Sequence, residues 1–527
     1  MFDVIIIGSG AAGTGAALGL EGRSVLMLDC GHEPEPAPAL PSTSRVETLR
    51  NARDDLFPLF VGNNFEGTAL IGGRSTMSPK LKAPRMRFIT RDWNALSPVE
   101  SKGFDTQMSF SLGGLANAWG AGVYRFTEDE LRGFPIRASD LAPYYDQLTE
   151  ELGVSGSTGD DLTPFFGNTA NLQPPLRLNR GPGNVYQGYR RKRDYFQGRG
   201  FHIGRSRVAI LTQPMRERHA YHYNNWEFFT PNDSSIYSPA ITVRKLIREA
   251  RLIYRGGYLV ERFSDRPDGV TVTARNLRSG ESETFTAKRL IVSAGCLNSA
   301  KLVLASATGT RHALPLLDNL VSYVPLINPA LIGLRSERRC FGMVQLNIIY
   351  QGPKADEVIQ GSIYDLSGPL RSDFVFDFPL SFHGNLLISK LVTPATCLIQ
   401  FFYPDDPAPD KSVSLDDTGR LRINYAAREL GAIEREAISA FRRIGWFGLP
   451  QLCKYPRAGN SYHYAGSLPM RTNPGPFETH ASGKLHESHN VFVADSAVFT
   501  RLPSKNLTFT SMANAMRIAT GVSASLR

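Results

Sequence analysis

Gly8-Ser9-Gly10-Ala11-Ala12-Gly13 is a run whose residue types suit phosphate binding. Gly8 permits a tight turn, Gly10 lets the backbone approach a pyrophosphate, and Gly13 lets a helix lie close on a strand. The N-terminus of a helix that follows the run would aim unpaired N–H groups and the positive end of its dipole at the phosphates. Asp29 follows 21 residues after Gly8. Its carboxylate can accept hydrogen bonds from a ribose diol and would repel a 2′-phosphate. A glycine run alone is weak evidence, and the elements around it give it meaning. Asp3 to Ile7 is a β-branched apolar run without alternation, as in a strand buried on both faces of a parallel sheet. Thr14 to Leu20 can form that helix, and Ser24 to Leu28 forms a second apolar strand that delivers Asp29. Strand, glycine loop, helix, strand and acid in this order predict a dinucleotide site.

The chain has 527 residues, more than one hydrophobic core accommodates, so two domains are expected. A hydrophobic content of 42% with 20% charged residues describes a globular protein. No apolar run reaches the length of about 18 residues that a membrane span requires. The first strand begins at residue 3, which predicts a cytoplasmic protein without a leader. Cys30, Cys296, Cys340, Cys397 and Cys453 are scattered, odd in number and without a CxxC pair, so they read as reduced thiols. No metal site is expected: His480, His486 and His489 lack ligand spacing and read as surface residues. The net charge is +10, densest at Arg190-Arg191-Lys192-Arg193 beside Tyr189, Tyr195 and Phe196. Such a run could face a phosphorylated partner. Without a nucleic-acid fold motif it reads as a solvated face, and no nucleic-acid partner is expected.

Prolines at 34, 36, 38 and 41 predict a loop over residues 32–45. Leu112 to Gly122, which contains Gly113, Gly114, Asn117 and Ala118, is rich in small residues that let backbone approach a flat ligand. Ser139 to Leu152 is an amphipathic helix, with Ser139 or Asp140 placed to cap it and Gly153 to end it. Thr242 to Ala250 reads as helix, and Leu252 to Arg262 with Gly269 to Arg275 as strands of a small sheet. Arg289 to Gly295, through Ala294, returns to the first sheet. Phe341–Tyr350, Val358–Tyr364, Leu386–Leu391, Thr396–Phe402 and Ser412–Tyr425 read as strands of an antiparallel sheet, followed by a helix from Ala432 to Phe447. Val491 to Asp495 is a further buried strand ending in an acid, and Leu507 to Ala519 a helix. The expected class is α/β, a Rossmann-type domain with an inserted domain on an antiparallel sheet. The expected division is 1–154, 201–312 and 455–527 for the first domain, 313–454 for the second, and an excursion over 155–200.

Four separated stretches, Ile5 to Asp29, Leu112 to Gly122, Ile291 to Ser306 and Tyr462 to Ile518, together resemble the glucose-methanol-choline (GMC) family of flavin oxidoreductases. Phe134-Pro135-Ile136 leading into Asp140-Leu141-Ala142-Pro143-Tyr144-Tyr145 is similar to bacterial members. Gly113 to Trp119 with Arg125-Phe126 resembles pyranose-oxidase-type members most. The resemblance implies FAD, with Gly8, Gly10, Ala11, Ala12 and Gly13 at the pyrophosphate and Asp29 at the adenosine ribose. It implies Val260 backbone at the adenine, and Gly113, Gly114, Asn117 and Ala118 along the isoalloxazine. Ala294 and Asp495 would lie by the pyrophosphate or ribityl chain, and Leu507 and Thr508 near the pyrimidine end of the ring. Family members that tether the flavin through this loop use a His where Ala118 stands, so the FAD is expected to be non-covalent.

The resemblance also implies a catalytic pair. His463, in His-Tyr-Ala-Gly-Ser-Leu-Pro-Met, matches the family's His-x-x-Gly-Thr-x-x-Met, and Asn506 lies 43 residues on in Lys-Asn-Leu-Thr. Read alone, His463 would be a hydrogen-bonded structural histidine. In the family this His takes the hydroxyl proton while the C–H hydride moves to flavin N5, and the Asn holds the substrate oxygen. Leu507 in place of a usual proline, and Ser467-Leu468-Pro469 in place of Thr-x-Arg, reshape the pocket floor. The implied activity is oxidation of a secondary alcohol, on a sugar, glycoside or similar ring, to a ketone, with oxygen or a quinone-like molecule as acceptor. Alternatives are a steroid, terpenoid or other specialised alcohol, and a redox-silent lyase of the hydroxynitrile-lyase type. Neither acceptor nor oligomeric state is legible.

Overall fold

β-branched Val4 to Ile7 leave no polar face, so this segment must be covered on both sides. In the computed structural model, which describes residues 1–35, 79–224, 227–229, 234–307, 312–335, 337, 339–352, 358–366 and 380–526, it is covered. The strand β1 (Phe2–Ile7) runs parallel to β2 (Val25–Leu28) on one side and to Ser282–Val292 on the other, with the helix α1 (Ala11–Leu18) between β1 and β2. Val491–Val493 lies parallel to the last residues of Ser282–Val292, and Ile253–Arg255 extends the far edge beside β2. The carboxyl ends of these parallel strands therefore share one edge, where Gly8, Asp29, Ser293 to Gly295 and Asp495 emerge.

The strands Tyr258–Arg266 and Gly269–Asn276 do not form the separate small sheet expected. They continue the parallel sheet as a meander, because Ser282–Val292 is long enough to pair Gly269–Asn276 with its first half and β1 with its second. A second sheet is antiparallel in the order Val321–Ile327, Thr396–Phe402, Val358–Asp365, Leu346–Gln351, Phe201–Arg205. Leu386 to Leu391, read as a strand, is part of the helix Phe382–Val392, which Ser381 caps by accepting from the Gly384 N–H at 3.2 Å. The six residues Leu-Leu-Ile-Ser-Lys-Leu are too few to show a period of their own, and the cap decides the helix. Ser412 to Tyr425 is not one strand of the second sheet. It is the hairpin Lys411–Leu415 and Leu421–Tyr425 of a third, four-stranded sheet, turned at Asp416, whose carboxylate accepts from the Thr418 and Arg420 N–H groups. The expected loop at 32–45 lies outside the described residues from 36 onward.

Two helices lock the parallel sheet. Thr508–Ser525 is buried along most of its length and crosses α1 so closely that a Cβ on Gly15 would come within 2.5 Å of the Met512 carbonyl. Ala138–Leu152 packs on it, joined by Tyr145 Oη and Thr510 Oγ1 at 2.7 Å. Asp140 accepts from the Arg137 N–H at 2.8 Å at the start of Ala138–Leu152, and Gly153, at φ 69°, ends it.

Candidate functional site

The glycine loop leaves β1 at Gly8, whose φ of 96° is disfavoured for any residue with a Cβ. A Cβ on Gly13 would lie 1.9 Å from the Gly8 carbonyl, so the helix rests directly on the turn. Gly10 differs: among the described residues a Cβ there would meet nothing within 4 Å, and none of their side chains caps the N-terminus of α1 behind it. Open space facing unpaired helix N–H groups is what a pyrophosphate needs. Ser9 joins three parts of the site. Its hydroxyl donates to Asp29 and accepts from the Gly113 N–H at 3.0 Å, and Gly114 lies so close that its Cβ would come within 3.2 Å of the Gly10 Cα. Burial raises the Asp29 carboxyl to about 7, against hydrogen bonds from Ser9, Cys30 and Gly31 that favour the anion. These residues fit a dinucleotide bound with its ribose at Asp29.

Other expected residues have different surroundings. The Asn117 amide is engaged within its own loop, donating to Leu112 O and Gly114 O at 2.9 and 3.0 Å, while its Oδ1 accepts from Ser238. It shapes the 113–118 turn, and Ala118 beside it carries only a methyl group. Asp495 accepts from the Gly295 N–H at 2.9 Å, from Ser299 Oγ at 2.5 Å and from the Ala497 N–H at 2.9 Å, binding two strand ends together. Beyond it, Gly466 and Leu468 donate to Ser496 and Ala497 carbonyls, which leads from the sheet edge to the His463 segment. Val260 sits at a β-bulge in the meander, reached through the Tyr258 N–H on the Asp29 carbonyl. Leu507 precedes the helix Thr508–Ser525 directly after Asn506.

His463 and Asn506 meet. Asn506 Nδ2 lies 3.3 Å from His463 Nε2. Each is fixed from behind by an amide the sequence did not single out. Asn319 donates both N–H groups, to Tyr403 O at 2.8 Å and Pro503 O at 3.0 Å, so its Oδ1, 2.9 Å from His463 Nδ1, can only accept. The imidazole hydrogen therefore sits on Nδ1 and the Nε2 lone pair is left facing Asn506. Gln360 Nε2 donates to Asn506 Oδ1 at 3.0 Å and its Oε1 accepts from the Asn506 N–H at 3.2 Å, which turns the Asn506 NH2 toward the histidine. Phe402 stacks on the ring with centroids 5.2 Å apart. Burial lowers the His463 pKa to about 4, so the ring is neutral at ordinary pH.

The backbone is held as firmly. Asp318, fully buried, accepts from the Gly459 N–H at 2.6 Å and from Ser461 Oγ, and Ser461 Oγ accepts from the His463 N–H at 2.9 Å. Lys505 donates to Glu130 at 2.5 Å and to the Arg125 carbonyl at 3.0 Å, pinning the residue before Asn506. The second sheet supplies the floor. Gln360 and Phe402 are cross-strand partners, and in the next row Asn347, Ser362, Gln400 and Tyr323 lie side by side across four strands. That row is polar throughout, with Asn347 donating to Ser362 at 3.2 Å and Gln400 to Tyr323 at 3.2 Å. A signal for these residues was present: Asp318-Asn319 interrupts the apolar run Leu314 to Leu326, and Gln360 interrupts a β-branched strand. Buried polar residues in such runs need partners.

Among the described residues no group of three or more His, Cys, Asp or Glu is arranged to hold a metal, and His480 and His489 are exposed while His486 is half-buried. Arg190 to Arg193 are exposed, with Arg193 paired to Asp161. No helix among the described residues is long and apolar enough to cross a membrane.

Residues 448–515, which hold both His463 and Asn506, match the family described as GMC oxidoreductase. Over its whole length the chain is 23% identical to paromamine 6'-oxidase of Streptomyces fradiae and covers 92% of that protein. It is 24% identical to 6'''-hydroxyparomomycin C oxidase of Streptomyces lividus, again over 100% of this chain and 92% of the relative. The fold is similar to that of a formate oxidase from Aspergillus oryzae, solved in connection with FAD modification, at a TM-score of 0.61 and 14% identity over 99% of this chain and 98% of that one.

Proposed function

We propose that the chain is an FAD-dependent alcohol oxidoreductase of the GMC family that oxidises a hydroxyl of a sugar-like ring, with His463 as the base and Asn506 as the group that holds the reacting oxygen. The observation that carries this reading is the 3.3 Å hydrogen bond in which Asn506 Nδ2 donates to the unprotonated Nε2 of His463. A donor and an acceptor converge there on one point, where a hydroxyl would give its proton to Nε2 and accept from Nδ2. Bound FAD supplies the acceptor for the C–H hydride. A neutral ring is needed to take the proton, and burial keeps His463 neutral. The polar row of Asn347, Ser362, Gln400 and Tyr323 beside the pair supports a hydroxyl-rich substrate over a steroid or terpenoid. A ring secondary alcohol would give a ketone. A second reading, an exocyclic primary hydroxyl giving an aldehyde, is favoured by the 6' position in the name of one full-length relative.

The test is anaerobic flavin reduction by stopped flow with sugars, glycosides and amino sugars. His463→Ala should bind FAD and reduce it roughly 10²–10⁴-fold more slowly. Asn506→Ala should cost less, about 1–3 kcal/mol of barrier, the order of one hydrogen bond. Because the two serve one oxygen, the double variant should be less impaired than the product of the single effects. A His463→Ala protein that loads FAD and reduces at the native rate would end the assignment.

A further inference from the structure

Nine of the twelve exposed large apolar side chains among the described residues fall in three short segments, 332–334, 380–391 and 447–455. These segments adjoin in space. Ile327 and Phe447 exchange backbone hydrogen bonds at 2.8 Å, Tyr323 pairs with Lys454, Asn328 donates to the Ala395 carbonyl at 2.9 Å, and Gly333 donates to the Leu391 carbonyl at 3.0 Å. Leu387, Leu449 and Leu452 are the most exposed, at 61%, 58% and 53%. Isolated exposed leucines mean little, but a contiguous apolar patch on an otherwise ordinary surface marks a place of contact.

The charge around the patch says what kind of contact. Residues 380–404 and 437–477 contain no acid, and 327–352 contain one, Glu337, engaged by the Arg180 N–H at 2.5 Å. Exposed Arg335, Lys390, Arg442, Arg443, Lys454 and Arg457 ring the leucines. A second copy of the chain docked through this face would set the basic ring against itself. A surface with an apolar interior and a dispersed negative charge meets both features at once. We propose that this face seats the protein on an anionic lipid surface, with Leu387, Leu391, Leu449 and Leu452 entering the acyl boundary and the basic ring meeting the headgroups. No described helix is long and apolar enough to cross that surface.

Co-sedimentation of the FAD-loaded protein with vesicles tests this. It should pellet with phosphatidylcholine–phosphatidylglycerol vesicles, remain in solution with phosphatidylcholine alone, and be released in part by salt. Leu449→Asp with Leu452→Asp, and separately Lys390→Glu with Arg443→Glu, should each lower the bound fraction by about tenfold or more. Unchanged flavin absorbance and dye reduction in both variants would separate lost docking from lost folding. Absence of binding to the anionic vesicles, or equal binding by native protein and both variants, overturns the proposal. So does a lipid-free dimer that the leucine variant splits, which would give the face to a second copy.

Discussion

At the scale of single residues, the state of His463 is set by Asn319. With both Asn319 N–H groups held by carbonyls, its oxygen fixes the hydrogen on Nδ1. Asn319→Asp keeps the shape and adds a charge, which favours the imidazolium and should move the acid limb of flavin reduction up by about 1–3 pH units. In the native protein that limb should fall near pH 4, where the ring takes its proton and stops acting as a base. A pH series of reduction rates for the two proteins measures both positions, and coincident limbs would show that Asn319 does not control the ring. Ala118 carries a second expectation. It has no nucleophile, so acid precipitation should leave a colourless pellet and a yellow supernatant. A pellet that stays yellow would point to an attachment elsewhere.

At the scale of elements, two glycines of α1 should behave in opposite ways. A Cβ on Gly10 meets nothing within 4 Å among the described residues, and Gly10 has a φ of −62°, which alanine tolerates. Gly10→Ala should therefore fold and melt close to the native apo-protein yet lose most FAD, because the methyl enters the space left for phosphate. Gly15→Ala instead drives a methyl against the Met512 carbonyl at 2.5 Å and pushes α1 off Thr508–Ser525. It should lower the apo-protein melting temperature by several degrees, about 1–3 kcal/mol of overpacking. Flavin content and thermal melts of the two variants distinguish the roles. The strand–loop–helix–strand unit was legible because its residues are local and its glycines have a single physical use. The second sheet was less legible. Nothing in the sequence marks Val321–Ile327, and Leu386 to Leu391 reads as strand, since pairing between strands about 75 residues apart and a cap at Ser381 decide them. His463 and Asn506 were legible by family pattern, whereas Asn319, Gln360 and Phe402 come from strands or loops distant in sequence, and only the closed sheet brings them to the pair.

At the scale of the whole molecule, buried titratable groups set how stability depends on pH. Burial raises Asp29, Glu227 and Asp318 each to about 7, so each keeps a proton in the folded chain that it loses near pH 4 when unfolded. Each contributes stability that is present in acid and lost as pH rises toward 7. His463 opposes them, because the unfolded ring takes a proton near 6.5 that the folded ring refuses until about 4. Asp495, also raised by burial, acts with the three carboxyls, and His32 and His202, also lowered by burial, act with His463. With the carboxyls the larger set, the apo-protein should melt at a lower temperature at pH 7.5 than at pH 5.5. Calorimetry across that range checks it, and a rising melting temperature would show that ordinary surface carboxylates dominate. One further consequence follows from Thr508–Ser525. This helix starts beside Asn506, packs along α1, and is tied by Ser523 Oγ and O to the Arg23 guanidinium at 2.9 and 2.7 Å. The phosphate loop is thus braced by a helix made long after it, the Arg23–Ser523 contact joining residues 500 apart in the chain. A chain halted before residue 508 should be unable to retain flavin however long it waits, so cofactor loading is timed by the arrival of a distant helix rather than by the appearance of the binding motif.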